Sequence, residues 1–474
     1  MDKKDNYFKS KEFQDLLQNY EQSLQNGRPE YFGSDELSDI AEYYYNTGKQ
    51  KEAIDVLDYA VSLHPGAAMP LVFRGRIALI DDKDIDAAEH YADMIGDQYD
   101  LDCLYLHAEI MIARGETDKA NQFLHNSMER IDEDDVPDYV LDVATLFIDY
   151  NLPDLAEEWL KLSDEPDLLD YREVKARIAF SRGDYEQSEK IFDELLDEDP
   201  YSGHYWNSLA STQFMSNRIN DSITSSEYSI AINPNDEEAI LNKANGLFSL
   251  GNFTDAMEYY KRFLKLCPDE GSASLFIGNC LLNLGRAEEA LPYYEAALNN
   301  FIEYGQSTIE VRQCLAFTLS QIGKTEEALQ CLDKADSEKE CNHSDISVVR
   351  GHIQLEHGMV KEAIKSFVSA LQATAFSHEI FFRIAISVYD CGYPTIAYRM
   401  FKAYHEVHHE KGDEGTAYLA VCCRLLNRRE EYLKYLKTAC EQNPLEARKV
   451  LGEYFPEGMN PNDYYSYEVA KQHE

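Results

Sequence analysis

Tryptophan is nearly absent, two residues against 33 tyrosines, and positive charge is scarce: 44 Lys plus Arg face 87 Asp plus Glu, a formal net charge of −43. Such a surface repels polyphosphate, which excludes a general DNA or RNA binder, and it argues equally against an anionic membrane as the main partner. No apolar run approaches the ~20 residues needed to cross a bilayer. The opening residues, MDKKDNYFKSKEF, lack the apolar centre of a secretory signal. A soluble, cytoplasmic protein is expected. None of the ten cysteines forms a CxxC pair, so zinc-ribbon and thioredoxin-like spacings are missing, and small buried thiols in a reducing compartment are expected. No GxSxG elbow or GxGxxG loop occurs. Gly323-Lys324-Thr325 imitates the end of a phosphate-binding loop, but Thr318 stands where that loop needs its first glycine. No cofactor is expected. The chain is nevertheless 44% hydrophobic, which is the composition of a folded protein.

What is present is an internal period of about 34 residues. A small residue recurs at Ala41, Gly75, Ala108, Ala144, Ala176, Ala210, Ala244, Gly278, Ala316, Gly351, Ala385 and Ala420. Twelve positions after each comes a second: Ala53, Ala87, Ala120, Ala156, Ser188, Ser222, Ala256, Ala290, Ala328, Ala363 and Ala397, with Tyr432 departing in the last repeat. Two antiparallel helices approach closely only where neither carries bulk, so each pair of small residues marks a helix crossing. Four positions further a large residue follows in most repeats, as at Leu57, Tyr91, Phe192, Tyr260, Tyr294, Phe367 and Phe401. It lies one turn along the same helical face. Glycine often breaks the turn between the two helices, and Pro65, Pro200, Pro234, Pro268 and Pro444 close five repeats.

On these residues the chain resembles the tetratricopeptide repeat family, most closely between Gly203 and Tyr304, where Trp206, Leu209, Ala210, Gly251, Phe253, Ala256, Tyr260 and Pro268 follow the family pattern. The resemblance implies an all-α, right-handed superhelical solenoid of antiparallel helix pairs. Twelve pairs are expected over residues 34–446. Residues 1–33 supply a lead-in and a capping helix on Phe13, Leu16, Leu17, Tyr20 and Leu24. Residues 447–474 supply a second capping helix and, after Pro456, a flexible tail. Two places depart from the pattern. Ser222, Ser226 and Ser229 make a second helix polar enough to question its packing, and a 38-residue interval before Ala316 suggests a kink near FIEYGQST.

One segment imitates a catalytic motif. His405-Glu406-Val407-His408-His409 has the HExxH form of a zinc hydrolase, with Glu430 and Glu431 further on. It falls at the end of a second helix, where histidines suit the helix dipole, and nothing supplies the two lobes of a protease cleft. It is read as a solvated helix end that holds no metal. A metal-dependent hydrolase stands as the competing function, and a regulator that senses a short peptide as a third. The leading expectation is a non-enzymatic scaffold that binds an extended or helical segment of a protein partner.

The resemblance implies that first helices line a concave groove. On that projection the first five repeats offer acids, Asp138, Asp142 and Glu173 among them, against Arg76 and Arg177. Later repeats offer amides: Asn207, Asn242, Asn245, Asn279, Asn283 and Gln313. An amide donates and accepts at once, so a row of them can pair with a peptide backbone. Phe180, Phe214 and Phe248 recur 34 residues apart beside those amides. Residues 1–200 alone carry a net charge of −30, so acids are expected to steer a basic segment that amides and rings then hold. The Lys–Asn–Arg set with which some family members grip a terminal carboxylate is not matched, since the groove positions named here offer Asn but no paired Lys.

Overall fold

Small residues on both members of a helix pair let the axes approach, and a left-handed residue between them turns the chain back. A computed structural model of the protein describes residues 7–26, 31–268, 270–339, 341–407, 414–456 and 459–471. Among these residues every regular element is helical. They form two compact units, 1–269 and 270–474.

In the first unit, α1 (Lys11–Asn26) precedes seven helix pairs. These are α2 (Ser34–Asn46) with α3 (Gln50–Leu63), α4 (Ala68–Ile80) with α5 (Ile85–Asp93), α6 (Leu101–Ala113) with α7 (Thr117–Met128), and α8 (Val136–Asp149) with α9 (Pro153–Leu160). They continue with α10 (Leu169–Ser181) and α11 (Tyr185–Glu198), α12 (Gly203–Met215) and α13 (Ile219–Ile232), and α14 (Glu237–Ser249) and α15 (Phe253–Leu266). The second unit holds five: α16 (Gly271–Asn283) with α17 (Ala287–Glu303), α18 (Ile309–Gln321) with α19 (Thr325–Asp336), α20 (His343–Glu356) with α21 (Val360–Ala373), α22 (His378–Asp390) with α23 (Pro394–Val407), and α24 (Thr416–Leu425) with α25 (Arg429–Gln442). Two further helices follow, α26 (Pro444–Leu451) and α27 (Tyr464–Ala470). Within each unit every first helix packs on its own second helix, and most, though not α10 with α12 or α22 with α24, also pack closely on the first helix of the next pair.

The small-residue register accounts for the crossings. Ala41, Ala108, Ala144, Ala176, Ala210, Ala244, Ala316, Ala385 and Ala420 are all fully buried, as are ten of the eleven second positions. The exception is Ala87, which is half-buried, while Ala88 beside it is fully buried. Four residues rather than three separate α4 from α5, and the left-handed position falls to Lys83 (φ 52°) instead of a glycine. The extra residue rotates α5 by one position, so Ala92 takes the burial expected of Tyr91. The 38-residue interval is absorbed differently: α17 runs three residues longer than a typical second helix and the chain turns at Gly305 (φ 64°).

The serine-rich helix α13 packs closely, contrary to expectation. Ser222, Ser225, Ser226 and Ser229 are buried. The Ser226 hydroxyl donates to the Ser222 carbonyl (2.8 Å) and Ser225 donates to Gln213 Oε1 (2.8 Å), whose amide nitrogen donates to Glu189 (3.1 Å). Polar side chains here meet one another instead of opening the interface. Ser222 Oγ alone is buried without a partner. Ser222→Ala should therefore stabilise the protein by about 1 kcal/mol, by removing an unsatisfied hydroxyl where most other repeats carry alanine. Urea unfolding checks this, and a lower midpoint would contradict it.

Both ends of the array are covered. Phe13, Leu17 and Tyr20 of α1 are buried with Phe8 and Phe32, whereas Leu24 is 61% exposed and lies outside the expected stripe. At the other end Ala447 and Leu451 of α26 are buried. The segment after Pro456, expected as a flexible tail, is folded between residues 459 and 471. Asn460 precedes Pro461, its side chain accepts from Asn462 N, and a single 3₁₀ turn leads into α27. Tyr464 stacks on Phe455 with centroids 3.9 Å apart. One turn later the buried Glu468 carboxylate accepts from Arg429 (2.9 Å) and Arg424 (3.2 Å). These two contacts, four residues apart on one helical face, seat α27 against α25.

Candidate functional site

The residue directly after each first-helix small residue is at most half-exposed and varies in chemistry along the array. In the first unit this position is Glu42, Arg76, Glu109, Thr145, Arg177, Ser211 and Asn245. Its neighbours one turn away carry the acids that the sequence placed there. Asp138 and Asp142 of α8 are exposed, and Asp142 accepts from the Tyr105 hydroxyl (3.0 Å). Partial withdrawal from water raises the pKa of Asp142, and the fields of Asp138, Asp102 and Asp170 raise it further. Glu173 of α10 faces His204 of α12 at 2.9 Å, and that hydrogen bond raises the His204 pKa against the opposing effect of burial. Glu238 of α14 is also raised, by burial first and then by Asp236, with His204 opposing. Glu109 is buried beside Arg76 at 3.2 Å, and burial pushes its carboxyl up despite that partner. The acids thus form one electrostatically connected belt from α6 to α14. Its two arginines are both engaged, Arg76 by Glu109 and Arg177 by Asp149.

Within the belt lies an open cleft of about 370 Å³. Ile148, Phe180 and Phe192 give it an apolar floor; Ser208, Ser211, Thr212, Asn151, Arg177 and Glu238 make the rim. Ile148 and Phe180 occupy the same repeat position, four residues after Ala144 and Ala176. Of the three phenylalanines singled out, Phe180 alone lines this cleft. Phe180 and Phe248 each meet the first aromatic of their own second helix edge-on, Tyr185 at 5.7 Å and Phe253 at 5.2 Å. Phe214 is half-buried in α12. Packing within the repeat accounts for Phe180 and Phe248.

The amides do not form one free row. Asn207 is buried and donates to both Asp236 oxygens (3.1 Å each), so it ties α12 to the start of α14. Asn242 donates to Ser211 at 3.3 Å. The carbonyl oxygen of Asn245 accepts from Tyr260 (2.7 Å), and that of Asn279, in the second unit, accepts from Tyr294 at the same distance. Both tyrosines are buried. These asparagines satisfy a hydroxyl that the large-residue position brings into the core, and only their NH₂ groups remain to face a ligand. Asn283 is exposed and donates to its own helix at the Asn279 carbonyl; Gln313 is half-exposed on α18. An Asn245→Ala, Asn279→Ala double substitution would therefore disturb packing as well as any ligand.

His204, Glu238, Ser208 and Ser211 were not singled out from the sequence. The signal was available: Ser211 stands at the same repeat position as Arg177 and Asn245. Of the HExxH segment, His405 and Glu406 sit in the last turn of α23, and His408 and His409 lie outside the described residues. No described helix is long and apolar enough to cross a membrane.

Residues 241–306 match the family described as tetratricopeptide repeat. Among solved structures, a MamA protein is similar with a TM-score of 0.34 and 18% identity, covering 36% of this chain and 92% of its own. A MamA from Desulfovibrio magneticus RS-1, residues 41 to the end, has a TM-score of 0.34 and 14% identity, covering 36% of this chain and 93% of its own. No curated protein matches the chain by sequence.

Proposed function

The chain carries tetratricopeptide repeats, and from that premise we propose that it is a protein-interaction scaffold whose first unit docks a basic peptide segment on its first-helix face. The acidic belt around the cleft supports this reading above all. A Lys or Arg side chain can lay its stem on Ile148 and Phe180 and bring its charge to Glu238, so that burial and ion pairing act on one residue. The exposed acids, Asp138, Asp142 and Asp170, add a long-range field that raises association rates more than affinity. Desolvated contacts in the cleft carry the hold.

Peptides selected from a random displayed library on the purified protein test this. Selected sequences should combine basic residues with an apolar neighbour. Asp142→Lys with Glu238→Lys should weaken their binding at least tenfold, and raising salt from about 50 to about 500 mM should slow association, as screening shortens the field. Mild acid should weaken binding as well: Asp142 and Glu238, with raised pKa values, lose charge before ordinary carboxylates, while His204 gains it. Peptides that bind the double variant as they bind wild type would move the docking site off this face.

A further inference from the structure

Far from the acidic belt, in the second unit, the turn between α19 and α20 brings three unlike donors together. Asp336 ends α19, Cys341 lies in the turn and His343 opens α20. One ligand atom from each lies within 4.8 Å of the other two. His343 Nδ1 is 2.7 Å from Asp336 Oδ1. Nearby carboxylates are already engaged: Glu338 accepts from Thr308 N (3.1 Å), and Asp345 pairs with Arg383 and accepts from Asn342 (2.9 Å). Arg350 reaches Asp336 at 3.9 Å and pairs more closely with Asp333, at 2.6 Å.

We propose that Asp336, Cys341 and His343 form a mononuclear site for a borderline divalent cation, zinc foremost, with a fourth position open to solvent. One sulfur, one nitrogen and one oxygen donor suit such a cation, whereas calcium and magnesium require oxygen donors throughout. Around a tetrahedral zinc with bonds of about 2.0–2.3 Å, donor atoms stand about 3.3–3.6 Å apart. The three donors reach that spacing by moving an ångström or so, within the freedom of half-exposed and exposed side chains at a helix end, a turn and a helix start. Burial raises the Cys341 pKa, and the fields of Asp336, Glu338 and Asp345 raise it further. The negative potential that opposes a lone thiolate is neutralised by a dication. Binding replaces the S–H bond with an S–metal bond and releases the thiol proton to solvent, so affinity falls with pH. The bound ion would join the C-terminus of α19 to the N-terminus of α20.

Cobalt reports the site directly. Full-length protein, reduced and stripped with chelator, is titrated with Co²⁺ alone. One equivalent should produce the near-ultraviolet sulfur-to-cobalt charge-transfer band, and Zn²⁺ should abolish it by displacement. Cys341→Ser should remove the band, His343→Ala should weaken binding at least tenfold, and His405→Ala should change nothing. Circular dichroism of the variants confirms that the helices are intact; His343→Ala, at an exposed helix start, keeps the test valid if Cys341→Ser misfolds. Absence of the band at saturating Co²⁺ overturns the proposal. So does a band that survives in Cys341→Ser, which would place the metal on another of the ten cysteines.

Discussion

Trp159→Ala should lower the unfolding free energy of the first unit by about 3–5 kcal/mol, the range for removing a large buried aromatic. Trp159 is fully buried, and its indole N–H donates to Asn121 Oδ1 at 2.7 Å. Its ring stacks on His125, with centroids 4.1 Å apart, and meets Tyr139 edge-on at 5.9 Å. It thereby joins α7, α8 and α9. The large effect follows from the shortness of α9, eight residues where most second helices have twelve or more. With few other buried side chains on so short a helix, one wide ring carries most of its packing. Trp159→Phe should cost less, retaining most of the stacking but leaving the Asn121 carbonyl without its donor. Urea unfolding followed by circular dichroism checks both. A loss below about 1 kcal/mol in the alanine variant would mean that neighbouring side chains collapse into the cavity.

Gly351→Ala should destabilise the second unit by about 1–3 kcal/mol, although alanine is intrinsically the better helix former by about 1 kcal/mol. A methyl group on Gly351 would meet the Phe367 ring at 2.4 and 2.5 Å. The clash is with ring edge atoms of a buried residue whose backbone is fixed in α21, so relief requires the helices to separate. Gly278 stands in the same relation to Tyr294, at 2.7 Å. In both repeats a glycine on the first helix admits a large ring from the second. Reducing the ring should restore what the methyl group costs: Gly351→Ala with Phe367→Leu should regain much of the stability lost by Gly351→Ala alone. A double variant no better than the sum of its parts would show that the ring is not what the methyl group meets.

The repeat was legible in the sequence because a helix crossing demands small residues at a fixed spacing, and local chemistry alone sets that spacing. Ala41, Ala210 and Ala385 could be assigned to crossings from composition and period, and the helix pairs follow from them. The rotation of α5 was not legible because one residue more or less in a turn leaves hydrophobic periodicity almost unchanged while rotating the next helix. α27 was missed because a seven-residue helix has too little periodicity to stand out; what holds it are the Phe455 ring and the Arg424 and Arg429 guanidinium groups.

By itself the sequence determined an acidic, all-α array of helix pairs and the helix that carries each candidate residue, since these depend on residue type and spacing along one chain. Tertiary structure decided which of those residues are already engaged within the fold. Asn207, expected to bind through its chemistry, spends its NH₂ on Asp236 and keeps a buried Oδ1 without a partner, while Asn245 and Asn279 spend their carbonyls on Tyr260 and Tyr294, because packing sets which partner each polar group meets. The cleft beside Phe180 and the meeting of Asp336, Cys341 and His343 arise between helices, where the distance separating two side chains is set by how the helices stack and by nothing local to either.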